Sequence, residues 1–236
     1  MDETAAAGHL NAIRTAYDTV AADYADQLRD ELAGRPVDRA VLGAFADLVR
    51  AADADGRVVE AGCGPGRITA HLAGLGLRIF GVDMSPGMLA VARRSHPDLE
   101  YTRGYLAALP VADGALTGLV AWYSIIHTPP EQLGPVFAEF RRVLRPGGEL
   151  LLAFQAGDER LRLHQAYGHP IILDAYRLPP GWIEDQLSAA GLVAHTRIRR
   201  EPGPRESTPQ AFLLARRAEP VAPAEPVAPA EGDQGS

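Results

Sequence analysis

Lysine is missing from this sequence altogether: all 23 basic residues are arginine. With abundant alanine, glycine and proline, that reflects the coding bias of a GC-rich genome rather than a surface selected for arginine. No cluster of basic and aromatic residues forms a nucleic-acid footprint, so nucleic acid is not expected as a partner. A single cysteine, Cys63, excludes an internal disulfide framework and a cysteine-based zinc site. No apolar run approaches the roughly 18 residues a membrane span requires, so no membrane partner is expected. The N-terminal "MDETAAAGHLNAIRT" lacks the basic-then-apolar order of a secretory signal, which makes the cytoplasm the expected location. Net charge is −7, but Glu219, Glu225, Glu231 and Asp233 carry four of those charges in the last 18 residues and leave −3 on the rest.

What is present is ordinary globular material, 236 residues with 47% hydrophobic and 22% charged. That supports one domain over 1–217, as a monomer or homodimer. The tail 218–236 repeats AEPVAP and holds nothing that could form a core, so it reads as disordered. Within the domain, "RVVEAG" (57–62), "RIFGVD" (78–83), "LEYTRG" (99–104), "LTGLVAWYS" (116–124) and "GELLLAFQA" (148–156) read as strands. Several are apolar throughout, as parallel strands covered on both faces are. "RITAHLAGLG", "MLAVARRSH" and "EQLGPVFAEFRRVL" between them have helical spacing, so a doubly wound α/β sheet is expected. "PPGWIEDQLSAAG" predicts a further helix, and segments near 192–200 and 209–216 a closing hairpin. The first 50 residues predict helix. Tyr17, Val20, Tyr24 and Leu28 share one face, which either covers a sheet edge or binds a ligand.

In "VVEAGCGPGRIT" (58–69) a strand runs into Gly62-Cys63-Gly64-Pro65-Gly66 and a helix follows. Glycines allow the tight turn and let a ligand lie on the backbone, against the positive end of the helix. Asp83 ends the second strand 21 residues beyond Gly62, where an acid accepts from both hydroxyls of a ribose. An adenosine-type cofactor is expected. A dinucleotide fingerprint would place its third glycine at position 67, which is Arg67. Glu60 would also oppose a pyrophosphate, whereas an acid beside the loop suits a cationic ligand.

E-x-G-x-G-x-G at 60–66, the acid of "GVDMSPGML", "LPVADGALTGLVAWYSIIH" and "VLRPGGELLLA" together resemble the class I S-adenosylmethionine-dependent methyltransferases, in motif detail over about residues 14–156. The resemblance implies a Rossmann-like seven-stranded sheet of order 3-2-1-4-5-7-6 with strand seven antiparallel, capped by an N-terminal helical lid over 1–50. It implies S-adenosylmethionine as cofactor and transfer of its methyl to a small molecule by in-line displacement. Two alternatives stay open: an NAD(P)-dependent oxidoreductase on a related sheet, and a cofactor-binding homologue that does not methylate. Carried over, Glu60 would reach the methionine amino group, and Ala61, Gly62 and Gly64 would lie along methionine and ribose. Asp83 would hold the ribose hydroxyls, and Met84 would pack on adenine. Met88, Gly104, Tyr105, Leu106, Trp122 and Tyr123 complete the expected cofactor surroundings. Tyr17-Asp18-x-x-Ala21-x-x-Tyr24 resembles the family's lid helix and adds Tyr17 and Tyr24 as contacts. Two positions depart from the pattern: Tyr105 stands where an aspartate often follows Gly104, and Thr117-Gly118 where Phe-Asp is usual.

"AWYSIIHTPP" (121–130) follows strand four, and open α/β sheets bind ligands outside the carboxyl ends of their strands. Tyr123, His127 and Tyr17 are therefore the candidate catalytic residues. His127 titrates near neutrality and either acts as a base or only shapes the loop. "LHQAYGHPIILDAYRLPPG", within an expected substrate-lid segment over 157–180, supplies candidate acceptor contacts in His164, Tyr167, His169, Tyr176 and Arg177. Arg177 would hold a carboxylate or pair with Asp174. H-x₄-H-x₄-D is no established ligand spacing, so no metal is expected. His9, His71, His96 and His195 lack any such context and read as surface or structural positions.

Overall fold

The computed structural model describes residues 3–204 and 206–219. The expected tail therefore lies, from residue 220 on, outside the described residues. Seven strands form one sheet: β1 (Arg57–Ala61), β2 (Arg78–Asp83), β3 (Tyr101–Arg103), β4 (Leu116–Trp122), β5 (Leu144–Gln155), β8 (Leu192–Arg200) and β9 (Gln210–Arg217). Their order is β3-β2-β1-β4-β5-β9-β8, parallel except at β9, which pairs antiparallel with both neighbours. Counting only these strands, this is the order the family resemblance implies. β6 (Arg160–Ala166) and β7 (His169–Tyr176) make a separate two-stranded hairpin.

The central strands are mostly apolar, and β4 is buried at every position, because helices cover both faces. Leu119, Ala121, Leu150 and Leu152 pack on Phe137 and Phe140 of α5 (Leu133–Val143) and on Ile183 and Leu187 of α6 (Pro180–Ala189). The alternate residues Val58, Val120, Leu151 and Ala153 pack on Phe45 and Val49 of α2 (Pro36–Ala52) and on Ile68 and Leu72 of α3 (Arg67–Gly74). Thr117-Gly118 lies inside β4. A methyl group on Gly118 would sit 2.8 Å from Val49 Cγ2 and 2.9 Å from Phe45 Cζ, so its bare α-carbon sets how closely α2 approaches the sheet.

The first 50 residues are helical, in two parts with different surroundings. α2 lies on the sheet, whereas α1 (Glu3–Leu28) buries Ile13, Ala16 and Val20 against Met88 and Val91 of α4 (Pro86–Ser95) and Ile171 and Leu173 of β7. Asp18 fastens α1 to the start of α4. Its Oδ1 accepts from Ser85 Oγ at 2.6 Å and from the Gly87 amide at 2.9 Å.

The sequence reading left the β6–β7 hairpin, inside the expected lid segment, without a structure. Its two-residue turn is Tyr167-Gly168, at φ 51° and 85°. Positive φ at both turn residues is the type I′ geometry that matches strand twist, usually signalled by Asn-Gly.

Substituting Gly118→Ala should push α2 off the sheet and cost about 1–3 kcal/mol by overpacking. A denaturant titration with unchanged midpoint would contradict that account of β4.

Candidate active site

The glycine loop leaves β1 by a sharp turn. Gly62 adopts φ 79°, which a side chain disfavours, and its amide donates to Val82 O on β2 at 2.7 Å. The loop is then held by Asp83, whose Oδ2 accepts from the Gly64 amide and whose Oδ1 accepts from the Ser85 amide, both at 2.8 Å. Each oxygen keeps a further acceptor site toward the cavity that Asp83 lines. Burial raises the Asp83 carboxyl above the usual range, opposed by these amide bonds.

That cavity has a volume of about 440 Å³, within the range of about 300–1,000 Å³ of small-molecule sites. Gly62, Gly64, Asp83, Met84, Met88, Gly104, Tyr105, Leu106, Trp122 and Tyr123 all line it, as do Tyr17, Tyr24 and His127. The sequence reading had singled out each of them. Glu60 and Ala61 do not: both are buried beneath the loop, and Thr69 Oγ1 of α3 donates to the Glu60 carboxylate. Burial pushes the Glu60 carboxyl up to about 8. Arg67, where a dinucleotide loop needs glycine, is paired with Glu31 at 3.2 Å.

His127 sits at the end of a 3₁₀ turn past β4, fully enclosed. Its Nδ1 lies 2.7 Å from the carbonyl of Asp174 on β7, which only accepts, so Nδ1–H donates. Nε2 is then the acceptor, and the Tyr17 hydroxyl donates to it at 2.7 Å. Burial lowers the imidazole to about 4, so the ring is neutral at physiological pH. Of the two sequence readings of His127, a base or a residue that shapes the loop, this geometry favours the second: both nitrogens are engaged, and no free lone pair faces the cavity. His9, read from sequence as a residue without context, donates from Nε2 to the His127 carbonyl at 2.8 Å. Tyr123 packs edge-on against Trp122 and holds φ 55° while its amide donates to Ala153 O at 2.8 Å. A non-glycine residue in the left-handed region is strained, and such strain gathers at functional sites.

The five residues expected at the acceptor are not on the cavity wall. His164 is exposed on β6. Tyr167 rests on Tyr24 with ring centroids 4.8 Å apart, and His169 meets Asp23 of α1 at 2.7 Å. Tyr176 packs on the core below. Arg177 pairs with Glu159 at 2.9 Å, and Asp174, its expected partner, is paired with Arg160 instead. The hairpin braces α1 and His127 from behind. His195 is structural, 2.9 Å from the buried carboxylate of Glu149.

Wall residues the sequence reading missed include Leu10 and Ile13 on α1, Glu131 and Gln132 in the 3₁₀ turn before α5, and Pro135 and Val136 in the first turn of α5. The last four form an i, i+1, i+4, i+5 face, a signal that was available in the sequence. Leu10 and Ile13 continue the face of Tyr17 one turn back.

A family described as a methyltransferase domain matches residues 58–148. The chain is 32% identical over 137 residues to a demethylmenaquinone methyltransferase of Beutenbergia cavernae, which covers 58% of this chain and 55% of that protein. A malonyl-[acyl-carrier protein] O-methyltransferase of Enterobacter lignolyticus is 33% identical over 111 residues, 47% of this chain and 43% of that one. The chain thus spans about half the length, or less, of these curated relatives. Among solved structures, a SAM-dependent methyltransferase from Methanosarcina mazei superposes with TM-score 0.63 at 16% identity, over 70% of this chain and 93% of that one. The 1,6-didemethyltoxoflavin-N1-methyltransferase of Burkholderia thailandensis gives 0.58 at 20% identity, over 83% and 87%. Residues 58–148 thus match a methyltransferase domain, and the β3-β2-β1-β4-β5-β9-β8 sheet with its glycine loop and Asp83 is similar in fold to S-adenosylmethionine-dependent methyltransferases.

Proposed function

We propose that the protein binds S-adenosylmethionine and methylates a small, uncharged or cationic, largely apolar acceptor. The observation that carries this is one cavity faced on one side by the glycine loop and Asp83 and on the other by the Tyr17–His127 pair. The residues fit the cofactor. Asp83 offers two acceptor oxygens for a ribose diol, Gly62 and Gly64 leave the loop bare, and Glu60 lies beneath as a buried acid suited to a cation above. Met84, Met88 and Leu106 supply apolar wall for a base. When bound, S-adenosylmethionine supplies an electrophilic methyl on a sulfonium.

The chain's own residues align and enclose. α1 and the tip of β4 wall the cavity, and alignment at near-attack distance is itself worth several orders of magnitude in rate. The Tyr17 hydrogen is committed to His127, so its oxygen is left to accept from an O–H or N–H of the acceptor and orient it. Charge narrows the acceptor class. Among the described residues that line the cavity, the charged ones are Asp83 and Glu131, and none is basic. A carboxylate or phosphate acceptor would meet no counter-charge there. Of the acceptors named among the relatives, a demethylmenaquinone in its uncharged quinol form, with O–H groups for Tyr17 to accept from, fits this wall better than a malonyl group. No described helix is long and apolar enough to cross a membrane.

Calorimetric titration should detect binding of both S-adenosylmethionine and S-adenosylhomocysteine; no affinity for either removes the proposal. With an acceptor found by labelled-cofactor screening, Tyr17→Phe should lower turnover about tenfold or more and change cofactor affinity far less. Equal turnover in the variant would leave Tyr17 as packing only.

Cofactor affinity should also depend on pH through Glu60. Without ligand, its carboxyl at about 8 is mostly protonated at neutral pH. A cation above the loop favours the ionised form, so binding releases a proton. Affinity should rise with pH between about 6 and about 8, by at most about tenfold per unit, and flatten above. Glu60→Gln should abolish the slope; a slope that persists in that variant assigns it elsewhere.

A further inference from the structure

Of the described residues that line the cavity, five are exposed: Leu10 on α1, Tyr105 and Ala107 in the turn after β3, Glu131 before α5 and Pro135 within it. The cavity therefore opens to solvent between these three segments. Its opposite end is covered, where Tyr167 of the hairpin packs against Tyr24. Leu10, Ile13, Tyr17 and Tyr24 all line the cavity and share one face of α1, so they form a stripe that runs from the mouth inward. Leu10 is 39% exposed at the mouth, whereas Ile13, one turn further in, is 7% exposed. A single exposed leucine is ordinary on a protein surface. This one differs because it continues the apolar wall of a cavity out to its rim.

We propose that the methyl acceptor lies along α1, with its hydroxyl or amine on Tyr17 and an apolar chain leaving past Ile13 and Leu10. This rests on the reading of the cavity as an S-adenosylmethionine site, which gives the glycine loop, Asp83 and Met84 to the cofactor and leaves the α1 wall to the acceptor. Tyr17 keeps its hydrogen on His127 Nε2 and offers its oxygen. Tyr17 and Leu10 stand two turns apart, about 10 Å along the helix, and side chains on one helix face lean the same way. The stripe therefore acts as a ruler: a ring with about four further carbons spans it, and a longer chain reaches solvent. Apolar area removed from water stabilises in proportion, so each carbon counts until the chain passes Leu10. Glu131 adds a second criterion. It is the one charged residue among the exposed five, and its carboxylate disfavours an anionic chain end at the mouth.

The test is calorimetric titration of the full-length protein, loaded with S-adenosylhomocysteine, with phenol and its 4-ethyl, 4-butyl and 4-hexyl derivatives. Affinity should rise about twofold to fourfold per carbon up to about 4-butylphenol, then change less than about twofold to 4-hexylphenol. 4-(4-Hydroxyphenyl)butanoate, which reaches as far but ends in a carboxylate, should bind at least about tenfold more weakly than 4-butylphenol. Leu10→Asp should cut the gain from phenol to 4-butylphenol at least about fivefold, and Leu10→Ala should cut it less. These gains are ratios within one protein, so a partial loss of folded variant does not alter them. Affinity independent of chain length overturns the proposal, as does a gain that continues undiminished to 4-hexylphenol or survives intact in Leu10→Asp. Failure of the loaded protein to bind any of the phenols overturns it too, with the cofactor site left standing. If S-adenosylhomocysteine itself does not bind, the reading of the cavity falls, and the proposal with it.

Discussion

The neutral imidazole of His127 is the group on which sheet, lid and hairpin converge. Burial removes its charge, and neutrality makes it directional, with one nitrogen that must donate and one that must accept. The carbonyl of Asp174 takes the donor, which leaves only a donor acceptable at the other nitrogen, and Tyr17 supplies it. A histidine that was protonated could not accept from Tyr17, and a hairpin placed elsewhere would leave the tautomer undetermined. The position of α1 over the cavity follows from these two bonds as much as from its apolar contacts.

A second chain of bonds ties α1 to the glycine-loop side of the cavity. Asp18 of α1 accepts from Ser85 Oγ, and the amide of the same serine donates to Asp83. α1 thus touches both flanks of the cavity through polar contacts. Its apolar residues Ile13, Ala16 and Val20 rest on α4 and β7. The sheet contributes what a parallel α/β fold always contributes, a row of strand ends opening on one side. Specific to this chain is how the surrounding helices and hairpin are fastened to that row.

The strands and the glycine loop were legible in the sequence because their signals are local: unbroken apolar runs, glycines at fixed offsets, an acid at a strand end. Sheet order came from the family resemblance, since no local signal specifies it. The hairpin was not legible. β6 and β7 are half exposed and carry polar residues on their outer face, and their turn is Tyr-Gly rather than Asn-Gly, so the stretch read as a polar loop rich in ligand-like side chains. The same density drew His164, His169 and Arg177 into the site, although folding spends them on Asp23, Glu159 and solvent. The partners of His127 were also beyond reach. Tyr17 and Asp174 lie 110 and 47 residues away, and no spacing rule joins them. His9, at 118 residues' distance, is the same case.

Ser85 has one consequence for anyone who wishes to re-engineer this protein. Fully buried, it caps α4 by accepting from the Met88 amide, donates its hydroxyl hydrogen to Asp18, and holds Asp83 with its backbone. The start of α4, the anchor of α1 and the acid that holds the glycine loop share a single side chain and peptide unit, so none can be tuned there alone. Loosening α1 without disturbing its neighbours has to begin from the Asp18 side, where one carboxylate can be altered and the cap on α4 left standing.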